Sequence, residues 1–359
     1  MIAVVADDLS GAAELAAAAV DLGLTAEVQT SLSLPTDRDV VCVDTDTRGR
    51  SATDAARIVQ EIVATCVAQA RPAWLYKKCD SVLRGNVLAE LRATLQAAAK
   101  SQALLIPANP TRGRTIRRGQ LFVDGRLLHT TEFAGDTEHP RTSARITDLL
   151  GGELENVFIP DVAREADLMR HAASVADGTL CAGGVDFFRA LLRKCQASRV
   201  SGSNGEPVVT HRQAATLVIC GSAAWWERRQ QQARDCGLRA FGFPLNPVEI
   251  AGALENGGSV LVGIGGNPSA NSVSPVVLAQ SLAARCEEIL RHARVERLLL
   301  EGGATAAAVL RQLGWTRLIA GERWPGGFCA FQPGGKVRPS VFVKPGSYDW
   351  PAGLWPATR

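Results

Sequence analysis

The chain lacks the cysteine pairs, the charge excess and the long apolar runs that mark several classes of protein. Its nine cysteines are odd in number, scattered and without a CxxC pair, which indicates neither a disulfide framework nor a zinc site. The formal net charge of +3, from 39 basic and 36 acidic residues, is too small to indicate a nucleic-acid or membrane surface. No stretch approaches the roughly 18 apolar residues of a membrane helix. We therefore expect reduced thiols and neither a nucleic-acid nor a membrane partner.

The amino terminus does not have the pattern of a secretory signal. The first 37 residues contain no Lys or Arg, and Glu14 interrupts the apolar stretch from Ala12 to Val20. A signal peptide needs a basic start and an uninterrupted apolar region. We expect a cytoplasmic protein, which fits an intracellular metabolite as substrate.

Common signatures of nucleotide sites are also missing. The sequence contains no GxxxxGK[ST] motif, and no GxGxxG follows the first predicted strand, so a dinucleotide enzyme is disfavoured. It also lacks the Gly-rich loop and HRD segment of protein kinases. Any ATP site must be of another design.

What the sequence does contain is an alternation of short apolar strands with helical stretches. This pattern is typical of α/β domains with mostly parallel sheets, and 359 residues are enough for two of them. Strands are predicted at 2–6, 40–43, 73–76, 103–106, 216–220, 260–264 and 297–300. A stretch rich in Ser, Gly, Asn and Pro interrupts the alternation. We predict domains at 1–196 and 213–359, a linker at 197–212 and an active-site cleft between the domains.

Paired carboxylates follow the first predicted strand. Asp7 and Asp8 come directly after it, and Ser10 and Gly11 then open a helix. In open α/β sheets, ligands bind beyond the carboxyl ends of the strands. There the pair could accept hydrogen bonds from substrate hydroxyls, hold a metal or supply a general base. The alternative is that Asp8 or Ser10 only caps the helix, but for the pair we favour function.

Two further polar segments follow strands of the first domain. In the segment 76–86, cations, a carboxylate and neutral donors lie within eleven residues, which suits an anionic, hydroxylated substrate; they are Lys77, Lys78, Asp80, Ser81, Arg84 and Asn86. The Pro-rich segment 107–128 carries Asn109, Arg112 and Arg114 and could close over the same pocket, although alone it is a weak signal. Within it, the stretches 120–123 and 126–128 predict a hairpin, because Asp124 and Gly125 between them suit a type I′ turn.

In the second domain, three strands are followed by turns that contain glycine. These turns are Gly221–Ser222, one in the segment 301–305 and one in the segment 342–350. Such turns can present backbone N–H groups and helix N-termini to phosphates. A single glycine there is more often a backbone requirement, so the functional interpretation depends on all three occurring together.

Taken together, these segments resemble the four-carbon acid sugar kinase family. Its members carry motifs like DDxTGA, KxDSTLRGN and PAxPxxGRT, which here are DDLSGA, KKCDSVLRGN and PANPTRGRT. The later GSAAWWERRQ, GGAT and KPGSYDW match the family's order of motifs. The resemblance implies an ATP- and Mg²⁺-dependent kinase that phosphorylates threonate, erythronate or an oxo-tetronate, with the acid in the N-terminal domain and ATP in the C-terminal one. The stereoisomer, the hydroxyl phosphorylated and the oligomeric state stay open, a homo-oligomer included.

The resemblance also assigns site residues by position. The substrate side comprises Asp7, Asp8, Lys77, Lys78, Asp80, Ser81, Arg84, Asn86 and Arg114. The nucleotide side comprises Ser222, Gly302, Gly303, Thr305, Lys344, Pro345, Gly346 and Ser347. Our hypothesis is that Arg84, with Lys77 or Lys78, clamps the substrate carboxylate.

In this hypothesis Asp7 or Asp8 binds hydroxyls and one of them acts as base, so the catalytic residues are Asp7, Asp8 and Arg84. Tyr348 and Asp349 replace the Phe-Gly of the family's last motif. The rival hypothesis is therefore a non-catalytic member that binds sugar acid or nucleotide without transferring phosphate.

Overall fold

The computed structural model describes residues 1–136, 139–152, 155–197, 214–255, 258–265, 274–334, 338–346, 349–351 and 353–356. The backbone divides into two compact units. The N-terminal unit comprises Met1–Ala26 and Ser31–Asn204, and the C-terminal unit comprises Glu27–Thr30 and Gly205–Arg359. The predicted linker, 197–212, lies outside the described residues except for its first position.

The strands and helices alternate along most of the chain. The strands are β1 (Ile2–Ala6), β2 (Ala26–Gln29), β3 (Val40–Asp44), β4 (Trp74–Lys78), β5 (Gln102–Ile106), β6 (Arg114–Arg117), β7 (Gln120–Val123), β8 (Arg126–Leu127), β9 (Val157–Phe158), β10 (Thr179–Gly183), β11 (Thr216–Cys220), β12 (Arg239–Phe241), β13 (Ser259–Gly263), β14 (Arg297–Glu301), β15 (Arg317–Trp324), β16 (Phe328–Pro333) and β17 (Ser340–Lys344). The helices are α1 (Leu9–Asp21), α2 (Ala52–Ala70), α3 (Val87–Ala97), α4 (Ile146–Leu150), α5 (Glu165–Ala173), α6 (Val185–Ala197), α7 (Ala223–Asp235), α8 (Pro247–Leu254), α9 (Pro275–His292) and α10 (Gly303–Gln312). No helix in the described part of the chain is both long and apolar enough to cross a membrane.

The N-terminal unit is built on a parallel sheet with the strand order β3-β1-β4-β10-β5-β9. Its strands are nearly continuous apolar runs because helices cover both faces. The chain passes from β1 to β3 on one side and returns to β4 on the other, so the strand order reverses between β1 and β4. Crevices that bind ligands form at such points in open α/β sheets.

The C-terminal unit has the strand order β12-β13-β11-β14-β17-β16-β15-β2. The first five strands are parallel and the last three run antiparallel to their neighbours. Both units therefore confirm the predicted α/β class with mostly parallel sheets. Strand β2 was not predicted, because two of its four residues, Glu27 and Gln29, are polar and interrupt the apolar pattern. Both are nevertheless fully buried. Arg317 compensates the Glu27 carboxylate at 2.6 Å.

Strands β6, β7 and β8 form a small antiparallel sheet that follows β5. Its second turn is the predicted Asp124-Gly125 hairpin. Both residues have positive φ, 50° and 78°, as a type I′ turn requires. The hairpin prediction is confirmed, and the sheet brings Arg114 back beside the strand end from which the chain left.

Candidate active site

The carboxylates that follow β1 are bridged by an arginine from the loop after β3. Arg48 Nε donates to Asp7 Oδ2 at 2.7 Å, and Arg48 Nη2 donates to Asp7 Oδ1 at 3.1 Å and to Asp8 Oδ1 at 2.8 Å. All three side chains are largely buried. Burial raises the pKa of Asp7, but Arg48 and Lys77 outweigh it and hold that pKa below its usual value. Asp7 is therefore an ionised acceptor at neutral pH.

Asp8 also caps α1, as the alternative interpretation held. Its Oδ1 accepts a hydrogen bond from Gly11 N at 2.9 Å, and Ser10 Oγ donates to its Oδ2. The cap satisfies one of the free N–H groups of the first turn. Capping does not explain the bridge to Arg48, so Asp8 combines a structural role with membership of the charged group.

A second charged pair follows β4. Arg84 Nε and Nη2 donate to the two oxygens of Asp80 at 3.1 and 2.8 Å, and Arg84 Nη1 donates to Asp136 at 3.3 Å. The Asp80 carboxylate also lies 3.9 Å from Arg48 Nη2, which connects the two groups. Burial raises the pKa of Asp80, but Arg84 and Arg48 lower it far below its usual value.

Arg114 joins this region through an aromatic ring. The guanidinium groups of Arg84 and Arg114 each lie 5.8 Å from the centre of the Phe133 ring, within the range of a cation–π interaction. The structure thus brings together residues from the ends of β1, β3 and β4 and from the start of β6. These lie where the strand order of the sheet reverses.

Lys77 and Lys78 point to opposite faces of the sheet, because they are consecutive residues of β4. Lys77 Nζ pairs with Glu90 of α3 at 2.8 Å. Lys78 Nζ lies 3.8 Å from Glu14 of α1 and would be 3.3 Å from a Cβ added at Gly11. Of the two lysines, Lys78 therefore lies beside the first turn of α1 and close to Asp8, whereas Lys77 faces α3.

The remaining predicted residues differ in what they contact. Asn86 Nδ2 donates to the carbonyl oxygens of Arg50 at 2.8 Å and Thr47 at 3.3 Å, so it fastens the loop that carries Arg48. Ser81 is half-buried and follows Asp80 directly. Asn109 Oδ1 accepts from Asp186 N at 3.1 Å, which ties the loop after β5 to α6.

Arg48 was missing from the predicted site. The signal that could have identified it was its position, because it follows a predicted buried strand by a few residues. Carboxyl ends of parallel strands meet at one edge of a sheet. The order in which strands lie side by side is not written in the sequence, so nothing in the pattern placed β3 beside β1.

Asp44, the last residue of β3, gives a pH-dependent prediction. Burial raises the pKa of Asp44 to about 8, whereas the unfolded chain releases this proton near pH 4. Between these values the folded state binds more protons, so this group makes stability fall as pH rises. Asp44→Asn removes the titrating group. The amide oxygen of Asn can still accept the hydrogen bond from Asp46 N, which lies 2.9 Å from Asp44 Oδ1.

We expect the free energy of unfolding of Asp44→Asn, relative to the unaltered chain, to increase by about 2 kcal/mol or more from pH 5 to pH 8, since one pKa unit corresponds to about 1.4 kcal/mol. Urea unfolding at several pH values measures it. Two curves that stay parallel over this range would contradict the assignment.

In the C-terminal unit, the three glycine turns lie next to one another. Strands β11, β14 and β17 are adjacent, with Cys220 opposite Glu301 and Glu301 opposite Lys344. Gly302 N donates to Lys344 O at 2.9 Å. Ser222 and Gly302 are the N-cap residues of helices α7 and α10, so two helix N-termini lie at this edge, an arrangement that favours anions.

The other residues of the predicted nucleotide side are more enclosed. Lys344 is fully buried, with Nζ 3.0 Å from Glu301 Oε2 and 3.1 Å from Pro345 O. Burial lowers its pKa to about 8. Thr305 is buried beneath Gly221, and Gly346 lies beside Ser222. Ser347 and Tyr348 lie outside the described residues.

The close contact between Gly221 and Thr305 gives a second prediction. A Cβ at position 221 would lie 1.7 Å from Thr305 Oγ1 and 2.7 Å from Thr305 Cβ. We expect Gly221→Ala to lower the free energy of unfolding by about 2 kcal/mol, a typical cost of overpacking.

Gly252→Ala is the matched control, because this helical glycine has open space around its Cβ position. It should leave stability unchanged or raise it by about 0.5–1 kcal/mol. Equal stability of the two variants in urea unfolding would contradict the tight packing of this turn.

Comparison with known proteins identifies relatives along the chain. A family model described as a sugar-binding N-terminal domain matches residues 2–182. The D-threonate kinase of Salmonella typhimurium is 28% identical over 364 residues, which cover 87% of this chain and 86% of the kinase. The 3-oxo-tetronate kinase of Pseudomonas fluorescens is 26% identical and covers 96% of this chain and 93% of its own length. A crystal structure of a Salmonella typhimurium protein described as a putative tRNA synthase has the same fold, with a TM-score of 0.76 and 19% identity over 98% of this chain and 97% of that one.

Proposed function

The chain belongs to the four-carbon acid sugar kinase family, and we propose that it uses ATP to phosphorylate a hydroxyl of a four-carbon sugar acid. The relatives named above act on D-threonate and 3-oxo-tetronate, and these define the candidate substrates, together with erythronate. The observation that carries the proposal is the group of Asp7, Asp8 and Asp80 held by Arg48 and Arg84. Such a group offers ionised acceptors to hydroxyls and cations to a carboxylate.

The acid would bind with its hydroxyls towards Asp7 and Asp8. Arg48 fixes the orientation of both carboxylates, so the acceptors are organised before substrate arrives. Arg84 and Lys78 are the cations placed to bind the substrate carboxylate. The atom of Arg84 that would bind the substrate carboxylate is Nη1, which donates a hydrogen bond of 3.3 Å to Asp136 Oδ2. Phosphoryl transfer depends mainly on positioning and charge neutralisation, which this group can supply without a covalent intermediate.

The nucleotide phosphates would bind at the turns after β11, β14 and β17. The residues present fit such a ligand, because two helices begin directly after Ser222 and Gly302, and Gly346 of the third turn lies beside Ser222. Backbone N–H groups at helix N-termini are suited to phosphate oxygens. Mg²⁺ would arrive with the nucleotide and neutralise charge on its phosphates.

The proposal is tested by measuring ADP release with Mg²⁺-ATP and a panel of threonate, erythronate and oxo-tetronate. Turnover with at least one of these acids is expected, and none across the panel would overturn the kinase assignment. If no turnover is found, calorimetric titration with ATP distinguishes the possible reasons. Binding without turnover supports a non-catalytic member of the family, which the altered final motif permits, and no binding of ATP rejects a nucleotide site.

A further inference from the structure

Three full charges are buried together beneath the glycine turns of the C-terminal unit. Arg229, Glu301 and Lys344 are 1%, 0% and 0% exposed. Arg229 Nε donates to both Glu301 oxygens at 3.1 and 2.8 Å, and Lys344 Nζ lies 3.0 Å from Glu301 Oε2. We refer to Arg229, Glu301 and Lys344 as the buried triad.

Asp349 closes the triad from the carboxyl-terminal side. Its two oxygens accept hydrogen bonds from Arg229 Nη1 at 2.8 Å and from Arg228 Nη2 at 2.7 Å. Asp349 stands where the last motif of the resembled family has glycine. The Asp349 side chain is half-exposed and is directed to α7, so it balances the charge of the triad, which would otherwise be positive.

Stability alone does not account for the triad. Removing charges from water costs several kcal/mol for each ion, and apolar replacements of similar volume are often as stable. What the triad does provide is a fixed relation between three segments. Arg229 belongs to α7, Glu301 is the last residue of β14 and Lys344 is the last residue of β17.

Each of these segments adjoins one of the glycine turns. Glu301 and Lys344 directly precede Gly302 and Pro345, and α7 begins at the turn after β11. A shift of any one segment would therefore separate ion pairs that have no water to replace them. The single Nε–H of Arg229 is shared by both Glu301 oxygens, and this charge-assisted contact adds directional restraint.

We propose that Arg229 and Glu301 are positioning residues for the nucleotide: through Lys344 they hold the turns after β11, β14 and β17 in one geometry around the phosphates. The inference rests on the proposed function, since it assigns the nucleotide to these turns. It extends that function to two residues that do not touch the ligand themselves.

The test compares Glu301→Gln and Arg229→Gln with the unaltered chain in steady-state kinetics with ATP and the preferred sugar acid. We expect the KM for ATP to rise at least about tenfold and the KM for the acid to stay within about twofold. Arg229→Lys keeps the charge but loses the Nε–H that both Glu301 oxygens share, so it should lie between Arg229→Gln and the unaltered chain. It also serves as the test if a neutral variant does not fold.

Arg228→Gln is the matched control. Arg228 lies on the same helix as Arg229 and also binds Asp349, but the contact with Glu301 is made by Arg229. The KM values of Arg228→Gln should not change. An unchanged KM for ATP in the triad variants would overturn the inference, and so would equal increases of both KM values, which indicate a general loss of structure. If the unaltered chain has no kinase activity, the proposed function has failed instead, and ATP titration of the same variants then decides the positioning role.

Discussion

Replacing Arg48 by Met should lower kinase activity by about a hundredfold or more and destabilise the N-terminal unit. Arg48 donates to Asp7 and Asp8 and lies near Asp80, so its loss leaves three carboxylates without their shared cation. Removing one partner of a largely buried ion pair costs about 3–5 kcal/mol of stability. Because the acceptors would also lose their orientation, we expect kcat/KM for the acid to fall by about a hundredfold or more.

Arg50→Met is the control for this prediction. Arg50 lies two residues further along the same loop, but its half-exposed side chain binds Asp46 and not the site carboxylates. Its replacement should change activity and stability little, since exposed pairs contribute about 0–1 kcal/mol. Activity and urea unfolding are measured on both variants. An Arg48→Met chain that behaves like Arg50→Met would show that the bridged carboxylates are not the acid site.

Replacing Asp8 by Asn should lower turnover while leaving the fold intact. Asn is as good an N-cap as Asp, so the hydrogen bond from Gly11 N can be kept. What is removed is the negative charge that we propose to face the substrate hydroxyl, and the loss of a general base lowers kcat by about 10²–10⁴-fold. Steady-state kinetics and thermal unfolding measure the two effects separately.

Asp8→Ala distinguishes the cap from the charge. This variant loses both, so it should match Asp8→Asn in turnover and be less stable by about 1 kcal/mol. If Asp8→Asn retains full turnover, Asp8 is not the base, and the same replacement at Asp7 becomes the next test.

The sequence allowed the class of fold and most of the strands to be predicted, because buried parallel strands leave clear apolar runs. Strand β2 gave no such run, since half of its residues are polar and Arg317, from the far end of the chain, compensates Glu27. A strand stabilised by so distant a partner has no local signal. The hairpin at Asp124 and Gly125 was predictable because the turn type depends on those two residues alone.

The candidate site was predicted less completely, and for a related reason. Motifs identify which residues are present but not which face each one occupies. Lys77 and Lys78 looked equivalent in the sequence, but β4 directs one to α3 and the other to α1. Arg48 and Glu301 lie outside the quoted motifs, and their importance depends on the order of neighbouring strands. In the sequence, Asp349 only stands where the family's last motif has glycine. The structure shows that its carboxylate binds Arg228 and Arg229.

The most direct test of the central claim is ³¹P NMR of the purified chain with Mg²⁺-ATP and each four-carbon acid. The account predicts that a phosphomonoester of one acid and ADP appear in equal amounts with the unaltered chain, and that both appear at least about a hundredfold more slowly with Arg48→Met. ADP accompanied only by inorganic phosphate, or no consumption of ATP with any of the acids, would contradict it.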